Sequence, residues 1–448
     1  MPLGEILALA MFVGLFALLM FGFPVAFALG GASLLFAGLG MALGAFDWPL
    51  LAGVASRIFD AMVNDVLVAI PLFIFMGVVL ERSRIAEDLL VTMGQSFGAF
   101  PGGLGYGVII VGAMLAASTG IVGAVVVTMG LISLPAMMRA QYDQKLAAGI
   151  ITASGTLAQL IPPSTVLILV GTFLQNANIQ VQNDLGKYGA APVTVVEIFI
   201  AALVPGLMLV ALYLLYVAVI AVVAPTRCPP VPMSDAERRT LVSRMLRVML
   251  PPLVLIVAVL GSILFGVATA TESASVGAVG AIVLAAIRGK ITFDMLRHAC
   301  RATLSMSTMI YTILIGAAVF SLVFRGLGGE KVAEDMLGAM PGGAHGAVFV
   351  VLALMFVLGF FIDTFEIIFI VVPIFAPVLL KLDVDPIWLA VMMGLVLQTS
   401  YLTPPFGFAI FYLQGVARSF PMGAIYRGVV PFVILQLAAV AALWLWPS

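Results

Sequence analysis

The sequence predicts an all-α polytopic membrane protein built from two halves related as an inverted repeat, and three observations carry that expectation. Of its 448 residues, 63% are hydrophobic and 9% charged, whereas a soluble domain carries roughly 25% charged residues. Apolar runs long enough to cross a hydrocarbon core of ~30 Å recur along the chain, without the two-residue alternation of a barrel strand. Two landmarks also occur twice, in the same order. Ala-Glu-Asp-Leu-Leu at 86–90 leads to Pro101-Gly102-Gly103, and Leu160-Ile161-Pro162-Pro163-Ser164 begins 59 residues after Pro101. Ala-Glu-Asp-Met-Leu at 333–337 leads to Pro341-Gly342-Gly343, and Leu402-Thr403-Pro404-Pro405-Phe406 begins 61 residues after Pro341. Paired Gly/Pro-interrupted segments in corresponding places of two halves are a pointer to a transport site.

In chain order, apolar runs occupy 6–21, 25–43, 67–80 and 195–223, then 250–265, 276–287, 304–324 and 429–446. Between the two sets lies the most polar stretch, 224–247, with Pro225, Pro229, Pro230 and Pro232 followed or flanked by Arg227, Arg238, Arg239, Arg244 and Arg247. Five arginines between two apolar spans place it in the cytoplasm. It divides the chain into a first repeat, 1–223, and a second, 248–448. Tracing outward from it puts 15 basic residues inside and 5 outside (Arg57, Lys187, Arg325, Lys331 and Lys381), with both termini periplasmic. On this trace 104–138 forms a re-entrant hairpin entered from the cytoplasm, and 344–380 its mirror image entered from outside. Broken helices are expected at 146–176 and 387–416. Phe21-Gly22 and Phe265-Gly266 take matching places near the start of each half.

A membrane helix is broken only where the backbone is buried in protein or lines a wet cavity. Four such places are predicted: Ala117-Ser118-Thr119-Gly120; Thr152-Ala153-Ser154-Gly155-Thr156 with Pro162, Pro163 and Ser164; Phe361-Ile362-Asp363-Thr364; and Gln398-Thr399-Ser400 with Thr403, Pro404, Pro405 and Gly407. A break frees carbonyls at one half-helix end and N–H groups at the next. Carbonyls and hydroxyls are hard ligands for a cation such as Na⁺, and N-terminal ends favour an anionic group. A proline pair enforces a break because neither residue donates a backbone hydrogen bond. Against this, a lone Ser or Thr in a membrane helix usually bonds back to its own turn.

Three acids lie well inside apolar spans: Glu272, Asp363 and Glu366. Intramembrane carboxylates are costly and are functional candidates. Asp363, at a tip beside Thr364, is expected to lend charge to a cation site. Glu366, one turn on, faces the same region or pairs across an interface. Glu272, in Thr269-Ala270-Thr271-Glu272-Ser273, is expected to cap a helix start. A net charge of −1 suggests no nucleic-acid partner. Cys228 and Cys300 give no disulfide framework, and with His298 and His345 they form no metal-ligand spacing. No cleavable signal peptide is visible before the first span.

Ala-Ala-Ser-Thr-Gly at 116–120, Ala-Ser-Gly-Thr-Leu-Ala-Gln-Leu-Ile-Pro-Pro-Ser at 153–164 and Leu-Gln-Thr-Ser-Tyr-Leu-Thr-Pro-Pro-Phe-Gly at 397–407 resemble motifs of the large membrane subunit, of the DctM type, of tripartite ATP-independent periplasmic (TRAP) transporters. The Pro-Gly-Gly turns and Leu-Val-Ala-Ile-Pro-Leu-Phe at 67–73 fit as well. The resemblance covers essentially the whole chain. It implies an elevator-type secondary transporter of the bacterial inner membrane, like others in the ion transporter superfamily. Such a transporter takes up an organic acid with Na⁺ as coupling ion and no cofactor. It implies two partner polypeptides, a small four-helix membrane subunit and a periplasmic substrate-binding protein. The small subunit is expected as a separate chain, since only Trp446-Pro447-Ser448 follow the last span.

Carried over residue by residue, the resemblance implies substrate contacts from Ser118, Thr119, Gly120, Pro162, Pro163, Ser164, Thr364, Thr403, Pro404 and Pro405. It implies Na⁺ ligation from Thr119, Gly120, Ser154, Gly155, Thr156, Asp363, Thr364, Gln398, Thr399 and Ser400. The amphipathic stretches 84–100 and 331–340 would serve as arms. Ile121 and Val122 follow Gly120 where many relatives carry hydroxyls, so fewer side-chain ligands stand at that tip. The competing readings are a stand-alone Na⁺- or H⁺-coupled dicarboxylate or citrate symporter, in which the intramembrane acids would carry the proton, a passive channel, and an intramembrane hydrolase. The last lacks a second aspartate matched to Asp363 and a base beside a serine.

Overall fold

A computed structural model describes residues 2–83, 85–98, 100–187, 193–231, 235–418 and 420–446, with the side chains of 86, 95, 235–240 and 242 excepted. Residues 84 and 99 of the expected arm 84–100, and Pro232, Pro447 and Ser448, lie outside the described residues, as do the side chains of Arg238 and Arg239.

The described residues form helices and no strand. The first half runs α1 (Leu3–Met20), α2 (Val25–Ala42), a 3-10 turn (Trp48–Ala52), α3 (Gly53–Met62), α4 (Asp65–Arg82), α5 (Ile85–Phe97), α6 (Gly103–Thr119), α7 (Val122–Arg139), α8 (Gln144–Thr156), a 3-10 turn (Leu157–Gln159), α9 (Thr165–Asp184) and α10 (Val195–Val223). The second runs α11 (Asp235–Leu264), α12 (Ala270–Ile287), α13 (Phe293–Gly326), α14 (Gly329–Gly338), α15 (Gly343–Leu358), α16 (Thr364–Lys381), α17 (Pro386–Leu402), α18 (Phe408–Val416) and α19 (Met422–Leu445). Among the described residues, 9 helices are long and apolar enough to cross a membrane, or up to 11 if two bent pairs count as one span each. The chain is a polytopic membrane protein.

Local chemistry sets the ends of these helices. Thr194 and Glu197 close a capping box on α10, and Thr269 and Glu272 close one on α12, as expected for Glu272. Asn64, Asp143 and Asp385 accept from the first turns of α4, α8 and α17. The two Pro-Gly-Gly turns place Gly102 (φ +79°) and Gly342 (φ +93°) in the left-handed region that glycine adopts without a Cβ clash. Thr269→Ala removes one reciprocal pair of cap bonds and is expected to lower stability by about 1 kcal/mol. The midpoint of thermal unfolding in detergent reads it, and an unchanged midpoint would mean the box contributes nothing.

The two halves interlock with their roles exchanged. α2 packs on α13 and α12 on α4; α7 packs on α18 and α16 on α9; α8 packs on α19 and α17 on α10. Even non-glycine residues with positive φ occur in matching turns, Gln141 between α7 and α8 and Asp383 between α16 and α17. The interior belongs to α8 and α17, in which every residue from Leu146 to Thr156 and from Leu389 to Leu402 is buried. Outside, Phe27, Leu35, Val204, Val222, Val257 and Val279 are exposed on α2, α10, α11 and α12. Exposed apolar faces on long helices are what a lipid solvent favours.

The structure departs from the expectations in three places. α11 begins at Asp235, inside the expected linker 224–247, because no glycine or proline interrupts 235–250. α9 continues to Asp184, beyond the expected 176. The polar clusters do not themselves break their helices: Thr152–Thr156 end α8, Gln398–Ser400 lie within α17, and Ser118 and Thr119 end α6. Their hydroxyls donate to carbonyls three or four residues back, so the helix satisfies them internally. The backbone leaves helix at Pro162-Pro163, at Pro404-Pro405 and at the tips, whereas the pair Pro251-Pro252 lies inside α11 without ending it, so a proline pair alone does not enforce a break.

Candidate functional site

Four chain interruptions come together through side-chain contacts, the first break buried and the second open. At the first tip α6 ends at Thr119, Gly120 turns at φ +61°, and extended Ile121 leads into α7. α4 lies close against this tip: a Cβ on Gly77 would sit 2.7 Å from Thr119 Cα. The Thr165 hydroxyl donates to the Gly120 carbonyl at 2.8 Å, tying the tip to the start of α9. The first break, from Leu160 to Ser164, is buried throughout. Ser164 closes it by donating from Oγ to the Gln159 carbonyl at 2.7 Å and accepting from Leu167 N at 3.4 Å.

The second tip is built around Asp363, the N-cap of α16. Its Oδ1 accepts from Phe365 N at 3.0 Å and its Oδ2 accepts from the Tyr401 hydroxyl at 2.5 Å. Glu366 accepts from Asp363 N at 3.0 Å, completing a capping box. Glu366 therefore serves its own helix start rather than a partner across an interface. Thr364 N donates to the Tyr401 hydroxyl at 3.3 Å. The second break differs from the first in access: Thr403 and Pro404 are half-buried, and Pro405 and Phe406 are exposed beside Phe361.

A hydrogen bond between the two halves links their interruptions directly. Gln159 Nε2 donates to Thr364 Oγ1 at 2.9 Å, linking the first break to the second tip. Another buried amide meets the end of α8. Gln436 on α19 donates to Tyr213 OH at 2.7 Å and to Thr156 Oγ1 at 3.3 Å. Among the described residues the side-chain oxygens of Gln159 and Gln436 have no hydrogen-bond partner, and Gln398 meets at most the Tyr213 hydroxyl, in poor geometry. Each such buried orphan costs about 1–3 kcal/mol, so a protein keeps several together only where they meet something else.

The helix starts are not equivalent. Ser164 caps α9 and Asp363 caps α16. α7 and α18 begin without any side-chain cap, and they pack on each other, Gly123 of α7 lying against the Tyr412 ring of α18. Uncapped N-terminal N–H groups are positive and unsatisfied, which favours an anion.

The structure thus joins Gly120, Pro163, Ser164 and Thr364 through Thr165 and Gln159, with Asp363 and Tyr401 adjoining. Ser154, Gly155 and Thr156 sit at the end of α8 one short 3-10 turn before Gln159, and Gln398, Thr399 and Ser400 form the last buried turns of α17. Pro404 and Pro405 lie on the exposed side. Sequence reasoning passed over Gln159, Tyr401, Gln436 and Tyr213. The available signal was a Gln in an apolar segment three residues before a proline pair, and a Tyr next to the Gln-Thr-Ser cluster. Among the described residues no group of three or more His, Cys, Asp or Glu side chains is placed to hold a metal ion.

Lipid-facing helices around interrupted ones, with buried unpartnered amides and uncapped helix starts at their meeting point, define a membrane transporter. The family model described as "Tripartite ATP-independent periplasmic transporter, DctM component" matches residues 12–448, and the chain belongs to that family. It is 30% identical to the C4-dicarboxylate TRAP transporter large permease protein DctM of Pseudomonas aeruginosa, over 86% of this chain and 84% of the relative. It is 29% identical to the Ectoine/5-hydroxyectoine TRAP transporter large permease protein UehC of Ruegeria pomeroyi, over 99% and 97%. These relatives are permeases, not enzymes. In fold it is similar to the YdaH transporter of Alcanivorax borkumensis, with TM-score 0.63 and 15% identity over 89% of this chain and 88% of that one.

Proposed function

We propose that this chain is the large permease subunit that carries a small organic acid anion into the cell with Na⁺ as the coupling ion. The observation that carries the proposal is the meeting of the first break, the second tip and the last turns of α17 around unpartnered amides. Carbonyls freed near Gly120 and at Leu160–Ser164, together with the Gln398, Thr399 and Ser400 oxygens, are a donor set suited to Na⁺; Ser154, Gly155, Thr156, Asp363 and Thr364 complete it. The substrate carboxylate meets the uncapped starts of α7 and α18, bordered by Ser118, Thr119, Thr403 and the two proline pairs.

The exchanged packing of the two halves supports an inverted repeat over 1–223 and 248–448, with α6–α7 and α15–α16 as re-entrant hairpins. One sealed break and one exposed break fit a transporter halted with access on one side. In this reading the hairpins and broken helices move as an elevator against the remaining helices in the inner membrane, with the central linker cytoplasmic. Family membership supports two partners, a small membrane subunit and a periplasmic binding protein that hands over the substrate.

Uptake of labelled organic acids into proteoliposomes, with the partners added and with or without an inward Na⁺ gradient, tests the proposal. Accumulation is expected to need both Na⁺ and the binding protein. Accumulation without the binding protein would instead mark a stand-alone symporter, and none under any gradient would end the Na⁺-coupled reading.

Gln398→Met supplies a sharper test, since it nearly conserves volume and removes two polar atoms that are poorly met, the Tyr213 hydroxyl being their nearest partner. It is expected to leave stability equal or raise it by about 1 kcal/mol, while Na⁺-driven uptake falls at least tenfold. A stable variant with full uptake would take Gln398 out of the site.

A further inference from the structure

A cavity lies apart from the four interruptions. It is a half-open cleft of about 960 Å³ between α3, α4 and α13 on one side and α9 and α16 on the other. That is the size of a small-molecule site, roughly 300–1,000 Å³. Its walls mix Leu314, Leu322, Phe173 and Pro373 with Arg57, Arg325, Asn64, Asn176, Gln180 and Thr172.

The charges are unevenly matched. Arg325 Nη1 donates to the neutral Gln180 Oε1 at 2.7 Å, and its Nε stands 3.7 Å from Glu330. That carboxylate is shared, since Lys381 Nζ reaches it at 3.2 Å. Arg57 has no carboxylate within ion-pair distance among the described residues, and Asp60, one turn along α3, supplies the lining's single negative charge. Two half-buried guanidinium groups therefore face one cavity and repel each other. An anion between them relieves that repulsion, and guanidinium binds a carboxylate in a two-pronged geometry.

We infer that this cavity is a binding site for the carboxylate of a small organic acid, held by Arg57 and Arg325, with Asn64, Asn176 and Thr172 meeting its remaining polar groups. The identity of the ligand rests on the transport reading above; the anion site itself rests on the cavity and its two arginines. The cavity follows α9 from Gln180 back to Thr172, and seven residues separate Thr172 from Thr165 at the first break, about 10 Å along the helix. A substrate held here stands one short step from the interrupted helices.

The test uses the full chain in nanodiscs of uncharged phosphatidylcholine, heated with succinate, lactate or inorganic phosphate against chloride at equal ionic strength. The carboxylates are expected to raise the unfolding midpoint. R57Q and R325Q are expected to weaken the apparent affinity about tenfold, whereas R57K and R325K, which keep the charge, lose less. Equal stabilisation of wild type and both glutamine variants, or none of the wild type, would overturn the site. Stabilisation seen only when anionic phosphatidylglycerol replaces the neutral lipid would assign the cavity to a lipid headgroup and overturn the organic-acid assignment. A parallel uptake assay separates this inference from the transport reading. A raised KM with near-normal maximal rate in R57Q supports the site, while carboxylate binding by a wild type that shows no Na⁺-driven uptake retains the site and sinks the transport reading.

Discussion

Asp363→Ala is expected to abolish Na⁺-driven uptake and to destabilise the second tip, whereas Asp363→Asn should keep the fold and lose coupling. The carboxylate holds two different things at once: the first turn of α16 through Phe365 N and the buried Tyr401 hydroxyl. Alanine removes a cap, at about 1 kcal/mol, and strands a buried hydroxyl, at about 1–3 kcal/mol. Asparagine is as good an N-cap as aspartate, and its amide oxygen still accepts from Phe365 N. It lacks the charge and also the second acceptor that the Tyr401 hydroxyl donates to, so the tip weakens by about 1 kcal/mol but stays folded. If that charge supports a cation at the adjoining oxygens, the Na⁺ concentration for half-maximal uptake rises about tenfold, equivalent to roughly 1.4 kcal/mol. Uptake measured against Na⁺ concentration decides it. An Asn variant indistinguishable from wild type would reduce Asp363 to a structural cap.

Gly428→Val should prevent the protein from reaching a folded state at all. α19 crosses α8 with the two backbones in contact. A Cβ at Gly428 would run into the Lys145 carbonyl, and one at Gly149 would run into the Gly428 carbonyl. The obstacle is backbone on a helix whose interior face is wholly buried, so no side-chain rotamer relieves it. Overpacking costs about 1–3 kcal/mol where neighbours can shift, and here a whole helix must move. The expected result is loss of the monodisperse peak in size-exclusion chromatography, with Gly428→Ala intermediate. Gly423→Ala, one turn earlier on α19 with nothing within 4 Å of its Cβ, is the matched control and should behave as wild type. A folded, active Gly428→Val protein would show that α8 and α19 do not approach as described.

Much of the architecture was legible because it depends on local rules. Apolar runs marked most of the spans, Pro-Gly-Gly marked the sharp turns before α6 and α15, and the proline pairs marked the two interrupted helices. Glu272 was legible as a cap because a Thr three residues before a Glu at a helix start forms a reciprocal pair. The extent of each break was less legible. Ser154, Thr156, Thr399 and Ser400 look like helix breakers in an apolar context, yet each returns its hydroxyl to its own helix. Polarity alone does not interrupt a helix that can satisfy it, and neither does proline alone, since α11 runs through Pro251-Pro252 and α4, α7, α10, α16 and α19 each hold an internal proline.

The sequence by itself determined the membrane class and the repeat of landmarks, because these follow from hydropathy and spacing. Only the tertiary structure decided which groups meet. Gln159 and Thr364 lie 205 positions apart, Gln436 and Thr156 280 apart, and Arg57 shares a cavity with an Arg325 from the other half. Nothing in the spacing of either partner announces the other. Such pairings arise from how buried helices pack across the two halves, so they become visible only when the chain has closed on itself.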